Sequence, residues 1–506
     1  MEGVDTGPGV YPGISPVRLP GTVKRRKFVS MSHCICDDAI TTHNNSLANL
    51  IRGVGERVLF TDSACTPCVK PSSMDVFEQR CGVYSRTMAN GLGFQSPVTR
   101  QDFVGYYKGR RNTLYQKAVD GLAVMPVRVL DSRLSTFVKS EKSNFTLKFD
   151  PAPRVIQPRR PRYNVEVGRY LRPAEHKIYD EIDKLFGSPT IMSKYNAVEQ
   201  ARIIVDKMTS FRSPVCVGLD ASRFDQHVSV QALRFEHSFY DMLFRSKHLR
   251  RLLSWQINNI GYARAVDGSF KYTTSGSRMS GDMNTSLGNK FLMCLMAKSY
   301  IDTKMFRIEF VNNGDDCLMF MEAKNLKSLS DLKSYFNDFG FKIVTEKPVY
   351  EVEHIEFCQC KPLLSNGVWR MVRNVRTCLL KDVTAVNLGH DLNMYQAWLG
   401  DVANCGLAFS SDVPVLGRFY SMLKRFGRVG DYHDKEASFG AYHTLSHGVQ
   451  LSHSKPDAYG RYSFWKQTGI HPDAQVEIEN YFDSAVWGDD KRQFISKISR
   501  IITHGT

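Results

Sequence analysis

The chain has 506 residues, 42% hydrophobic and 23% charged, with 36 Gly and 20 Pro. These proportions exclude a fibrous or disordered chain and leave room for about three compact units or one multi-lobed enzyme. Lys and Arg number 67 against 51 Asp and Glu, and a formal charge of +16 directs the chain to polyanions, nucleic acid before anionic membrane surfaces.

The longest unbroken apolar stretch, Phe291–Ala297, falls far short of the ~20 residues that span a bilayer. The N-terminus carries no apolar signal-peptide core. The chain therefore reads as soluble and intracellular, with its 12 Cys reduced. Cys34, Cys36, Cys65 and Cys68, with His33 and His43 nearby, could assemble a zinc site. Their spacing matches no common finger, and ordinary buried thiols are the simpler reading.

In chain order, residues 1–30 read as a flexible leader. Residues 1–23 hold five Gly and four Pro without periodicity, and Lys24-Arg25-Arg26-Lys27 follows, a nuclear signal, an RNA contact or solvated charge. Folded sequence begins near Met31. Between Lys139 and Lys177 ten Lys or Arg face four Asp or Glu, and Pro151, Pro153, Pro158, Pro161 and Pro173 stop most of the block from being one helix. It reads as a loop or ribbon presenting charge.

Strand and helix signals then alternate. Pro214–Leu219 suits a buried strand, and Val230, Leu233, His237, Tyr240 and Phe244 recur at the spacing of an amphipathic helix. Asp282–Ser299 reads as a second helix. Phe306–Val311 and Cys317–Met321 are apolar runs joined by Asn312-Asn313-Gly314-Asp315-Asp316, a hairpin signal. Residues 325–339 look helical, and Ile355–Cys360 with Val368–Val372 suggests a hairpin about Ser365-Asn366-Gly367. The order is that of an α+β fold. The last ~140 residues read as mixed and mostly helical.

Asp220 ends an apolar strand, Asp225 follows past a turn, and Asp315 and Asp316 occupy a hairpin tip. Clustered carboxylates repel and persist mainly where a cation neutralises them. Oxygen-only ligands favour a hard ion such as Mg²⁺ bound together with substrate phosphates. Two such ions can stabilise the attacking and leaving oxygens of an in-line phosphoryl transfer. In Ser280-Gly-Asp-Met-Asn-Thr-Ser-Leu-Gly-Asn289, Asp282, Thr285 and Asn289 share a helical face, and Thr and Asn can hydrogen-bond a ribose.

Together, Asp220-x4-Asp225, Ser280-Gly281-x3-Thr285-x3-Asn289 and Gly314-Asp315-Asp316 resemble the palm motifs of viral RNA-dependent RNA polymerases. His43-Asn-Asn-Ser-Leu47, Phe103-Val-Gly-Tyr-Tyr-Lys-Gly-Arg-Arg111, Ile156-Gln-Pro-Arg-Arg-Pro-Arg-Tyr-Asn164 and Glu356-Phe-Cys-Gln359 are similar to the tombusvirus group of plant viruses and relatives such as umbraviruses. The resemblance runs from about residue 33 past 470.

That resemblance implies a right-hand polymerase. After the leader, 31–211 would hold the N-terminal region and fingers with the basic fingertip segment. Residues 212–360 would form the palm, an antiparallel sheet flanked by helices with a fingers insertion around 245–275, and 361–506 the thumb. It implies two Mg²⁺ ions, with Mn²⁺ as a possible substitute, ligated by Asp220 and Asp315 with Asp316 supporting. Lys139, Lys142 and Arg154 would bind the incoming triphosphate, and Asp225, Ser280, Thr285 and Asn289 would read the ribose. Lys347, with Lys342 as its rival, would protonate leaving pyrophosphate, and Phe357, Cys358 and Gln359 would support the primer end.

The implied function is replication of a positive-strand viral RNA genome from ribonucleoside triphosphates. Template and product RNA would be partners, with a membrane-associated viral replication protein, at replication complexes in the host cytoplasm. The chain begins with Met and has no membrane segment, so whole polymerase and readthrough or frameshift product both stay open. Against a reverse transcriptase stands the Asp225 and Asn289 pair, since those enzymes usually place an aromatic at the former position. Against an inactive RNA-binding scaffold stands the intact set Asp220, Asp315, Asp316 and Arg154.

Overall fold

Pro214-Val-Cys-Val-Gly-Leu219 forms the expected strand and continues two residues further, so that Asp220 lies within it, one residue from its end. In the computed structural model, which describes residues 1–31, 38–386, 388, 391–428, 448–449 and 455–487, this strand belongs to a four-stranded antiparallel sheet. We label its members β1 (Pro214–Ala221), β2 (Glu309–Asn313), β3 (Asp316–Glu322) and β4 (Ile343–Thr345), arranged β2-β3-β1-β4. Odd positions of β1, Val215, Val217 and Leu219, enter the main core; Cys216 enters a second core on the opposite face with Leu318 and Phe320. Burial on both faces is why this strand reads as a continuous apolar run rather than an alternating one.

The helices that pack into the main core include α1 (Pro161–Phe186), α2 (Val230–Phe244) and α3 (Thr285–Ile301). The apolar run Phe291–Ala297 is the fully buried middle of α3; a helix apolar all round belongs inside a core. No described helix is long and apolar enough to cross a membrane. A second, five-stranded sheet joins Val17–Arg18, Gly268–Ser275, Asn258–Ala265, Leu134–Val138 and Val155–Ile156 in that order. Among the described residues the C-terminal part is mostly helical, as expected, around a core that includes Trp398, Phe419, Phe464 and Phe482.

Several expectations need correction. The proline-rich basic block is a ribbon only as far as Arg160. From there α1 runs through Pro173, with Pro161 in its first turn, where a missing N–H costs nothing. Pro173 leaves the Arg169 carbonyl without its helical donor, and the Val98 N–H takes it at 3.0 Å. Residues 325–339 divide into a 3₁₀ stretch, Ala323–Leu329, and a short helix, Leu332–Asp338. The last hairpin turns at Asn366-Gly367, but its first strand is Cys360–Ser365. Phe357 to Cys360 is instead a tight turn closed by reciprocal backbone hydrogen bonds.

The leader makes specific contacts with the rest of the chain. Tyr11 is buried and its hydroxyl donates to Glu56 Oε1 at 2.9 Å, and Phe28–Ser30 pairs with Thr384–Val386. Arg26, from the basic run, donates to the carbonyls of His43, Val138 and Lys139 at 2.6, 2.6 and 2.9 Å. Of the zinc candidates, His33, Cys34 and Cys36 lie outside the described residues. Cys65 and Cys68 donate to the Val10 and Gln226 carbonyls, burial pushes the Cys68 thiol up to about 11, and burial lowers His43.

Arg26 ties the leader to the strand that precedes Lys139, so Arg26→Met should destabilise the chain by about 2–4 kcal/mol, since each charged hydrogen bond is worth about 1.5–3. Lys24→Ala, at an exposed neighbour, should change stability by less than about 0.5 kcal/mol. Urea unfolding of the two variants checks this, and equal losses would mean that the run is only solvated charge.

Candidate active site

The acidic wall is built by register. Along β3 and β1, Asp316 pairs with Asp220, and directly paired residues project to the same face. Asp315 occupies the two-residue turn between β2 and β3. Gly314, at φ 88°, takes the first turn position, where a side chain would be strained. The buried Asn312 side chain holds the turn, accepting from Gly314 N at 3.0 Å and donating to its carbonyl at 2.7 Å.

All three carboxylates are exposed and none makes an ion pair with another described residue. Burial and then the charge of Asp315 raise both Asp220 and Asp316 above the ordinary carboxylate range. Glu346 is also raised, by burial and then by Glu356, Asp316 and Asp220. It joins the acidic wall although no motif marked it. Among the described residues no three His, Cys, Asp or Glu are drawn together as a ready metal cage. An all-oxygen, mutually repelling, solvent-facing set nonetheless has the chemistry that suits a hard divalent cation.

The cleft beside the Asp315 turn is basic, and of the three carboxylates only Asp315 lines it. At about 310 Å³, it gathers Lys139, Arg154, Asp225, Ser280, Thr285, Asn289 and Asp315, and adds Arg57, Arg223 and Arg278. Lys139 and Arg154 share Glu141 Oε2 at 3.1 and 3.3 Å and lie just beyond the ends of two paired strands, where Lys139 N donates to the Arg154 carbonyl. Burial, then repulsion from Arg223 and Arg154, pushes Arg57 down to about 10. Arg223 sits at φ 52° and donates to the Glu56 and Thr61 carbonyls. Arg57 carries no sequence signal; Arg223 lies inside the Asp220-x4-Asp225 motif and was passed over there.

Between the walls, Asn289 Nδ2 donates to Asp225 Oδ1 at 2.7 Å, and burial raises the Asp225 carboxyl. Ser280 Oγ donates to the Val155 carbonyl at 3.2 Å, and Thr285 Oγ1 to the Met279 and Asp282 carbonyls. Asp282 leaves the expected polar face. It precedes α3 and is buried against Arg159.

Other candidates lie elsewhere. Lys142 points away from the cleft, its ammonium donating to the Lys381 carbonyl at 2.5 Å and standing 5.0 Å from the Trp398 ring; burial pushes it down to about 8. Lys347 is exposed. Val344 pairs with Asp220, Ser222 N donates to the Lys342 carbonyl, and Glu346 N donates to the Gly218 carbonyl. Period-two alternation therefore sets Lys342 and Glu346 on the face of Asp220 and turns Lys347 to the other. The ring of Phe357 is core. Cys358 and Gln359 occupy the tight turn at φ 51° and 61°. Cys358 Sγ accepts from Asn313 Nδ2 at 3.2 Å and its thiol hydrogen-bonds Asp316, while Gln359 is exposed.

A family model described as viral RNA dependent RNA polymerase matches residues 15–487. The chain belongs to that family. It is 44% identical over 452 residues to the RNA-directed RNA polymerase of Turnip crinkle virus, which covers 87% of this chain and 58% of the relative. To that of Panicum mosaic virus it is 42% identical over 459 residues, 87% and 46%. To that of Pothos latent virus it is 41% identical over 456 residues, 90% and 61%. The chain thus spans about half to three fifths of the length of these relatives. Members of the family generally use divalent metal ions, which accords with the acidic wall.

A raised carboxyl in the folded chain holds a proton that the unfolded chain has already released. The cluster's contribution to stability therefore falls as pH climbs through the raised values. In divalent-free buffer at pH 7.5, Asp316→Asn should melt above the parent chain, the two converging near pH 4. Adding Mg²⁺ should raise the parent's Tm more than the variant's. Scanning fluorimetry reads all three, and a variant that melts lower at pH 7.5 would remove the repulsion argument.

Proposed function

We propose that this chain is an RNA-directed RNA polymerase that replicates a positive-strand viral RNA genome from ribonucleoside triphosphates. The observation that carries this reading is one cleft that gathers Asp315, the Asp225–Asn289 pair and the arginines Arg57, Arg154 and Arg223, next to the carboxylates that register sets on β1 and β3. Each wall suits one part of a metal-bound nucleotide. The reading includes a right hand, with 31–211 as N-terminal region and fingers, 212–360 as palm and 361–506 as thumb. The pairing of Asn258–Ala265 with Leu134–Val138 supports assigning residues around 245–275 to the fingers.

Asp220 and Asp315, with Asp316 in support, would hold two Mg²⁺ ions or Mn²⁺ in their place; bound there, the ions supply Lewis-acid stabilisation of charge on the attacking and leaving oxygens. Arg154 and Lys139 grip the triphosphate with Arg57 and Arg223, guanidinium forks matching phosphate oxygens in pairs. Asp225 accepts a hydrogen bond from the ribose 2′-OH, while Ser280, Thr285 and Asn289 line the sugar's side of the cleft. The primer 3′-OH attacks the α-phosphate in line, and the residues act by positioning and electrostatics. Lys342, on the carboxylate face, protonates the departing pyrophosphate in preference to Lys347. The Phe357–Cys358–Gln359 turn supports the primer end through Cys358 and the exposed Gln359.

A second cleft of about 970 Å³ shares Ser280 with the first and presents Arg111, Arg133, Arg160, Tyr107 and Tyr262. Cationic and aromatic side chains together suit a single RNA strand, tracked by its phosphates and stacked on by its bases, and we assign it to the template. Work at membrane-associated replication complexes in the host cytoplasm, beside a membrane-associated viral replication protein, rests on the family alone.

Purified chain with an RNA template, four ribonucleotides and Mg²⁺ should make full-length complement. Asp315→Asn keeps the turn and should cut synthesis by about 10³-fold or more with RNA binding nearly unchanged; retention of a tenth of the activity would reduce the hairpin to a polar turn. Lys342→Ala should lower kcat by about 10²-fold, the scale of one proton-transfer group, with Lys347→Ala within about twofold. The reverse ranking in single-turnover kinetics would return the role to Lys347.

A further inference from the structure

Asn289 could present either end of its amide to Asp225, and only the Nδ2 end can donate to a carboxylate. What decides its orientation is Arg278, whose Nε donates to Asn289 Oδ1 at 3.1 Å. The Arg278 backbone N–H also donates to the Asp225 carbonyl at 2.7 Å. Arg278 is itself fully buried and ion-paired with Glu236, both side chains 0% exposed. The Glu236 carboxylate is further held by Tyr240 Oη at 2.9 Å and Asn284 Nδ2 at 2.7 Å.

The protein makes room for this pair at a cost. Gly288 lies inside α3, where glycine is unfavourable by about 1 kcal/mol relative to Ala. A Cβ there would fall 2.4 Å from both Arg278 Nη2 and Glu236 Oε1. A buried ion pair contributes little net stability over apolar packing, so its retention calls for a use in specificity.

We infer that the Arg278–Glu236 pair positions the sugar-selecting groups: it fixes the Asn289 amide so that Nδ2 is committed to Asp225 Oδ1, leaving Asp225 Oδ2 to accept from a 2′-hydroxyl. The inference rests on reading the cleft as a ribonucleotide site. Arg278 borders the cleft, but its guanidinium is engaged by Glu236 and Asn289, so it and Glu236 are positioning residues. A flipped amide would set Asn289 Oδ1 against the carboxylate, turn Asp225 away, and remove the distinction between ribose and deoxyribose.

The test is the ratio of kcat/KM for ATP over 2′-deoxyATP, together with the ratio of their equilibrium affinities in Mg²⁺ and the melting temperature. Arg278→Lys keeps the charge but cannot reach Glu236 and Asn289 together. It should lower the ribose preference about tenfold or more, through loss on the ribonucleotide, with deoxynucleotide kinetics changed less than about threefold. Because breaking a buried pair can unfold the chain, the double variant Arg278→Met with Glu236→Gln removes both charges at similar volume and keeps acceptors for Tyr240 and Asn284. It should show the same loss of preference at near-parental Tm. Glu236→Asp should retain more of the preference than Glu236→Gln. If a folded variant loses both sugars equally, or keeps the parental ratio, the pair is structural and the inference falls alone. If the parent chain makes no RNA or has no ribose preference, the reading of the cleft fails and takes this inference with it.

Discussion

The pairing of Asp316 with Asp220 across β3 and β1 is the constraint on which the rest depends. A slip of one residue would turn one of the two carboxylates to the opposite face of the sheet, among Val215, Val217 and Leu219 in the main core. The register is held from both sides. Two-sided burial of β1 leaves no alternative for its apolar residues, and the Asn312 side chain, closed on Gly314, fixes the length of the turn. The same register sets Lys342 and Glu346, on the far side of β1, on the carboxylate face.

The cleft needs a second wall at a fixed distance, and the sheet does not supply it. The ribbon that carries Lys139 and Arg154 is docked by the leader through Arg26 and by the loop before α3. Two buried ion pairs hold that loop, Arg278 with Glu236 and Asp282 with Arg159. Arg159 also donates to Asn259 Oδ1 and the Ser132 carbonyl at 2.7 Å each. Desolvating four charges costs more than an apolar loop would, and what it secures is position rather than stability. Ser280, between the two anchors, reaches the Val155 carbonyl and closes the ribbon against the loop.

The elements around the carboxylates were legible because local signals agree there. An apolar strand ends in Asp, a Gly-containing turn joins two apolar runs, and the 3,4 spacing of α2 is unbroken. Where tertiary contacts overrule local preference the reading failed. Pro173 looks like a breaker until Val98 supplies the missing donor to Arg169, and a Gly- and Pro-rich leader looks loose until Tyr11 and Arg26 are seen in their sites. Lys142 matches a motif position, yet the Trp398 ring and the Lys381 carbonyl hold its side chain. A short segment favours Lys347 over Lys342 in sequence, and only the pairing of β4 with β1 tells their faces apart. Arg57 was invisible because its partners, Arg154 and Arg223, are distant in sequence.

The two walls also explain why the cleft awaits a ligand of mixed charge. Arg57 is lowered by burial and then by Arg223 and Arg154, and Asp220, Asp316 and Glu346 are raised by burial and then by one another or by Asp315 and Glu356. Each side carries repulsion from its own kind on top of burial, and attraction between the sides would relieve both if they could meet. They cannot, because each is tied elsewhere. Arg223 is held in a left-handed conformation by the Glu56 and Thr61 carbonyls, Arg154 is engaged with Glu141, and the carboxylates are fixed by sheet register. A free anion would relieve only the arginines and a free cation only the acids. On the proposed reading a polyphosphate carrying divalent ions would relieve both at once, and the rigidity that keeps the walls apart would then favour that combination.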